Sequence, residues 1–270
     1  MTRRLWSRDA RLWVRTSGAG APLVLVHGWA MDHRIFRYQE RAFARDFRVV
    51  TFDRRGFGRS GGEPDLAREL DDLDLLADTL IGAADAFHLL GLSQGGRIAL
   101  RYAAARPERV RSLVLQGAPV DGEQPPGPAD EQVPMAAFAA LARAGRLDEL
   151  RQRWLRHPMM RLGDGHAEAE ALLREMLEDY TGADLIRGGW PPPATDVLGA
   201  VAAAGLPVLI LTGARETRSR RRSARLLRER LPRSRERVLP HGGHLCNLTE
   251  PDAYNAAVIE FCRAVTPPPP

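Results

Sequence analysis

Residues Leu89 to Leu100 read LLGLSQGGRIAL. An apolar run leads into a serine set among glycines, and a segment of helical period follows, with Ile98, Leu100, Tyr102 and Ala103 able to line one buried face. The five residues Gly91-Leu92-Ser93-Gln94-Gly95 fit G-x-S-x-G at the junction this pattern requires, between a strand and a helix. A sharp turn there holds the serine in a strained backbone conformation, and side chains two residues to either side would collide with neighbouring chain. The turn lifts the hydroxyl clear of the sheet and aims it at the start of the next helix, whose dipole and open N–H groups favour developing negative charge. Ser93 is therefore a candidate nucleophile, against the simpler reading of a turn residue.

On both sides of this turn, short β-branched and leucine-rich runs alternate with longer helical segments: ARLWVRT, PLVLVHG, FRVVTFD, AFHLLGL, RSLVLQG, PVLILTG and ERVLPHG read as strands. LARELDDLDLLADTLIG and GRIALRYAAARPERV read as helices between them. The alternation predicts an α/β protein with a mainly parallel central sheet and helices on both faces. It breaks after Gly117, at the proline-rich APVDGEQPPGPADEQVP, and resumes after GGWPPPATD at Gly188 to Asp196. Between these loops, MAAFAALARAGRLDELRQRWLRH and HAEAEALLREMLEDY are helical, with no convincing strand. The expected organisation is one discontinuous core, residues 1–120 and 196–270, with a helical cap inserted at 121–195. The closing TPPPP is expected to be a disordered tail.

Composition narrows the function classes. The 270 residues are enough for one sizeable core. No apolar run approaches the roughly 20 residues of a membrane-spanning helix, and the N-terminus lacks a signal-peptide core, so the expectation is a cytoplasmic protein without membrane partners. Cys246 and Cys262 form neither a disulfide framework nor a metal-ligand pattern. The net charge is +5, and all 39 basic residues are arginine. Ten of them lie in Arg218 to Arg237 against two glutamates, Glu229 and Glu236, which reads as a solvated helix face or as a site for anionic partners. Without interleaved aromatics or an accompanying motif, nucleic acid is not an expected partner.

A serine hydroxyl is a weak nucleophile and needs a base within hydrogen-bond reach. His244, in a loop between the last strand and the C-terminal helix, is the leading candidate, with His241 its rival. His88 lies inside a strand, and His33, His157 and His166 have no evident partner. A carboxylate should stand at the C-terminal end of another strand. Glu216 after PVLILTG fits best, and Asp121 after LVLQGAPVD competes with it.

The ordered set His27-Gly28-Trp29, FDRRGFGRS, GLSQGG, PERVRSLVL, PVLILTGARE and GGHLCNLTEPDAYN resembles the α/β-hydrolase fold superfamily over nearly the whole chain outside the cap, and the order Ser, acid, His agrees. FDRRGFG and GLSQGG are similar to oxoadipate enol-lactonases, small carboxylesterases and cofactor-free haloperoxidases or perhydrolases. VHGWAMD is similar to esterases acting on pimeloyl-carrier-protein methyl esters. The resemblance implies Ser93 as nucleophile, His244 as general base and Glu216 as orienting acid, with Asp121 the alternative acid. It implies an oxyanion hole from the backbone N–H groups of Trp29 and Gln94, and a structural role for Asp53. One departure is that the family usually has aspartate where Glu216 stands. The implied reaction is hydrolysis of a small-molecule ester or lactone, including anionic or carrier-linked substrates, with no metal or organic cofactor. Alternatives are a lyase, synthase or carbon–carbon hydrolase using the same residues, perhydrolysis, or a non-catalytic binding protein of this fold. Phe36, Met135, Phe138, Trp154, Met159, Met160 and Trp190 are candidate pocket residues, and the arginines after Glu216 are candidate rim residues. Oligomeric state is not legible.

Overall fold

A computed structural model describes residues 1–83, 85–122, 128–187 and 196–266. Trp190, most of the GGWPPPATD loop, the middle of the first proline-rich loop and the four terminal prolines lie outside the described residues. The described chain builds one eight-stranded sheet: β1 (Thr2–Ser7), β2 (Ala10–Ser17), β3 (Ala21–Val26), β4 (Phe47–Phe52), β5 (Phe87–Leu92), β6 (Val110–Gln116), β7 (Val208–Gly213) and β8 (Ser234–Leu239). Their spatial order is β1-β2-β4-β3-β5-β6-β7-β8. β1 and β2 pair antiparallel, as do β2 and β4, and all other pairs are parallel. The seven expected strands are present within a few residues of their expected limits. β1 was not expected: TRRLWS is largely exposed, and it becomes a strand by pairing residue for residue with β2.

The central strands are buried on both faces, which is why they read as continuous apolar runs. Their side chains still alternate. Leu23, Leu25, Leu90, Leu92, Leu209 and Leu211 join one core, and Val24, Val26, Leu89, Val208 and Ile210 join the other. The first core is closed by α1 (Arg37–Phe43) and by helices at the C-terminus. The second is closed by α2 (Glu69–Leu80) and α3 (Gln94–Ala105), together with the helices that precede and follow β7 in the chain.

Between β6 and β7 run α4 (Met135–Arg143), α5 (Leu147–Leu155), α6 (Ala167–Glu178), α7 (Ala183–Arg187) and α8 (Val197–Ala203), with no strand among the described residues. The segment expected as one helix, residues 135–157, is divided into α4 and α5. Phe138, Trp154, Leu173 and Met176 from these helices pack in the same core as Trp29 and Met31 of the loop after β3, so the helices sit over the C-terminal edge of the sheet. α8 packs against α3 on the other face. After β7 come α9 (Arg218–Arg230), which also lies on that second face, then β8, α10 (Cys246–Thr249) and α11 (Pro251–Val265). Buried Tyr254 and Val258 of α11 belong to the first core. Cys246 and Cys262 are buried, unbridged thiols.

Candidate active site

Ser93 is the turn between β5 and α3, with φ 52° and ψ −116°. Such a conformation costs a non-glycine residue about 1–3 kcal/mol and persists only where the surroundings impose it. They do so here. Ser93 N–H donates to the Gln116 carbonyl at 2.7 Å, and Gly96 and Arg97 N–H donate back to the Ser93 carbonyl at 2.9 and 3.2 Å. α3 starts in direct contact with the sheet: a Cβ on Gly95 would lie 2.1 Å from the Val26 carbonyl oxygen, and one on Gly91 would lie 2.4 Å from that of Gly95. Both motif glycines are thus required by close approach.

Glu216 follows β7, and His244 lies between β8 and α10. The fold brings them together: His244 Nδ1 is 2.6 Å from Glu216 Oε2, and both side chains are buried. Burial alone would raise the Glu216 carboxyl, but the His244 imidazole, the Thr217 N–H and Arg220 hold it below the ordinary glutamate range. An ionised carboxylate can only accept, so His244 Nδ1 carries the proton of this contact, and Nε2 is the ring nitrogen that Glu216 does not engage. The other carboxylate oxygen accepts from Thr217 N–H at 2.6 Å and Thr217 Oγ1 at 3.1 Å. Gln116 joins this pair to the serine turn. Its carbonyl holds Ser93 N–H, while its Nε2 donates to the His244 carbonyl and to Asn247 Oδ1, each at 2.9 Å. Gly117 comes next, with φ +55°, and a Cβ there would lie 2.6 Å from His244 Cε1 and 3.1 Å from Glu216 Oε2.

The rival residues lie elsewhere. Asp121 accepts from Arg101 at 2.6 and 3.0 Å and lies 3.4 Å from Arg97, turned to α3 rather than to His244. His241 is exposed. His88 is buried between Ser112 and Thr266, at 2.8 and 2.9 Å. His33 Nδ1 meets Asp53 at 2.6 Å. The other Asp53 carboxylate oxygen accepts Arg59 N–H, so Asp53 ties together the loops after β3 and β4. Asp32, His33 and Asp53 are the one grouping of possible metal donors among the described residues. Their atoms are engaged with one another and with Arg34 and Arg59.

Neither the Trp29 nor the Gln94 backbone N–H donates to any described residue. The Trp29 side chain is anchored from above: its indole donates to Asp184 of α7 at 2.6 Å, and Tyr180 O–H donates to the other Asp184 oxygen at 2.6 Å. Trp29 also packs against Trp154, Tyr180 and Phe138, with ring centroids 4.8, 5.8 and 6.0 Å away. Phe138 and Trp154 were expected near the site. Tyr180 and Asp184 were not, because nothing local distinguishes them from surface residues of an amphipathic segment. Phe36, Met159 and Met160 are buried in the same core, whereas Met135 is exposed. No described helix is long and apolar enough to cross a membrane.

A strained serine between a parallel strand and a helix, with a buried His–Glu pair at the ends of two later strands, marks a chain of the α/β-hydrolase fold. Residues 21–251 match the model of that family, so the chain belongs to it. Among curated relatives, the pimeloyl-[acyl-carrier protein] methyl ester esterase of Pectobacterium carotovorum is 29% identical over 263 residues, covering 94% of this chain and all of that one. Among solved structures, a thermophilic esterase from Thermogutta terrifontis superposes with a TM-score of 0.79 at 25% identity, covering 98% of this chain and 99% of its own. The enol-lactonase of Burkholderia xenovorans shares the fold, with a TM-score of 0.77 at 20% identity over 97% of this chain and all of that one. The relatives support an enzyme of the ester-hydrolase kind.

Proposed function

We propose that this protein is a serine hydrolase that cleaves a small-molecule carboxylic ester or lactone through an acyl-enzyme on Ser93. The observation that carries this reading is the 2.6 Å contact between His244 Nδ1 and Glu216, held by Gln116 to the same point of the sheet as the Ser93 turn. His244 Nε2 takes the Ser93 proton as the hydroxyl attacks the carbonyl carbon. The Trp29 and Gln94 N–H groups receive the resulting oxyanion. The leaving alkoxide takes the proton from His244, and a water activated by the same imidazole then releases the acid. Each oxyanion donor is worth about 3 kcal/mol of barrier. Residues 121–195 act as a lid, and the ring cluster around Trp29 shapes the acyl side of the pocket.

A narrower reading concerns the substrate's charge. Pro128 and Arg218, Arg221, Arg222 and Arg225 of α9 line a groove of about 720 Å³ close in sequence to Glu216. Its charge fits a substrate with a carboxylate or an acidic carrier, in keeping with the carrier-linked ester named for one relative. The primary test is hydrolysis of p-nitrophenyl butyrate at neutral pH with a chelator present, by the native protein beside Ser93→Ala. The expected result is turnover that Ser93→Ala abolishes. Turnover that survives the substitution would overturn the acyl-enzyme route.

A further inference from the structure

Arg54 is among the most deeply buried cations of the fold, 1% exposed in the loop leaving β4. Its Nε and Nη2 are held by Glu69 of α2, at 2.9 and 2.7 Å. That fork alone would satisfy the charge. The remaining nitrogen, Nη1, turns the other way: it donates to Gln94 Oε1 at 2.6 Å and to the Gly28 carbonyl at 3.2 Å, with the His27 carbonyl at 3.4 Å. His27 completes the arrangement. Arg54 N–H donates to its Nε2 at 2.9 Å, which leaves the ring proton on Nδ1, and Nδ1 faces the Gly28 carbonyl at 2.9 Å. Burial and the neighbouring guanidinium keep this imidazole neutral, with its pKa pushed down to about 3.

The Gly28 carbonyl therefore accepts two donors, one of them cationic. That carbonyl and the Trp29 N–H are opposite ends of a single planar peptide group. Donors on the oxygen fix the plane and strengthen the dipole at the N–H end. The second open donor, Gln94 N–H, belongs to the residue whose side chain lies on the same Nη1. We infer that Arg54 is a positioning residue for the oxyanion hole, its Nη1 bridging the Gly28–Trp29 peptide and Gln94 so that their two N–H groups converge on the oxyanion. The inference rests on the hydrolase reading above. Arg54 touches no reacting atom, so its contribution is made in the transition state and not in substrate binding.

The test compares the native protein with Arg54→Lys and with a double variant, Arg54→Met and Glu69→Met, which removes both buried charges at similar volume. Two rates are read: turnover of p-nitrophenyl butyrate, and phosphonylation of Ser93 by an alkyl p-nitrophenyl phosphonate, followed by mass spectrometry. The folded double variant is expected to lose about 30-fold in kcat and a similar factor in phosphonylation rate, with KM within about twofold. Arg54→Lys keeps the charge but cannot hold Glu69, Gly28 and Gln94 together, and is expected to lose about tenfold. It also keeps the question decidable if the double variant does not fold. Rates within about twofold of native in the folded variants, or a loss confined to KM, would overturn the role of Arg54 while leaving the hydrolase reading in place. No Ser93 adduct on the native protein would overturn both.

Discussion

Gly117 shows how narrowly the candidate site is packed. No motif marks it, yet any side chain there would press on the His244 ring and the Glu216 carboxylate. Gly117→Ala adds one methyl group at positive φ, where the backbone penalty is about 1–2 kcal/mol, and it displaces the imidazole that the proposed mechanism needs aimed at Ser93. A misplacement of about 1 Å costs on the order of 100-fold in rate. The variant is expected to keep a cooperative unfolding transition while kcat on p-nitrophenyl butyrate falls by about that factor. Steady-state kinetics beside urea unfolding would check it, and unchanged kcat would show that the ring has room to move. Glu216 makes the complementary point. Its second oxygen is taken by Thr217, so the longer glutamate side chain is anchored at both oxygens rather than left to swing.

At the scale of the element, α9 joins the two readings of the arginine run. Arg218, Arg221, Arg222 and Arg225 recur at three- and four-residue spacing and line the groove, while Ser223, Ala224 and Leu227 face the core. Like charges at this spacing destabilise a helix slightly, and more so at its positive N-terminal end. Arg220, next to them in sequence, is half-buried and is not among the residues lining the groove. Burial pushes its guanidinium down to about 10, with Glu216 opposing the shift. Arg220 therefore does not belong with the groove arginines. Arg221→Glu with Arg225→Glu is expected to raise KM several-fold for an ester with a distal carboxylate, and to leave p-nitrophenyl butyrate unaffected. The difference should shrink at high salt. Equal effects on both substrates would exclude charge recognition by this face.

Buried histidines tie the stability of the whole molecule to pH, His27 and His88 with the largest shifts and His157 in the same direction. Burial, and then Arg54, hold His27 at about 3, and burial, and then Arg111, hold His88 at about 4. Both folded pKa values lie below the unfolded value of about 6.5, so the unfolded chain takes up protons that the native chain refuses. The stabilisation is complete above about pH 6.5 and is lost as pH falls toward these depressed values, by about 1.4 kcal/mol per pH unit for each histidine. Urea midpoints should therefore drop between pH 6.5 and 5, above the range where most carboxylates titrate. His88→Gln should make that drop shallower, since the unfolded chain then takes up one proton fewer, and an unchanged slope would show that His88 takes its proton within the fold.

The residues alone were enough to read the alternation of strands and helices, the strand–serine–helix turn and the order of the candidate serine, acid and histidine along the chain. These are local properties: a buried parallel strand must be apolar throughout, and a turn as tight as that at Ser93 demands glycine at Gly91 and Gly95. The sequence also limited the acid to Glu216 or Asp121 and the base to His244 or His241. Which carboxylate meets which imidazole is set by the fold, because both acids follow strands that end at the same edge. Arg97 and Arg101 of α3 draw Asp121 aside, and the loop after β8 turns His244, not His241, inward to Glu216. The bridge from Arg54 to Gly28 and Gln94, and the anchoring of Trp29 by Asp184, join residues 26, 40 and 155 positions apart. No sequence window spans such distances, and it is the crossing of chains at the end of the sheet that places these groups within hydrogen-bond reach.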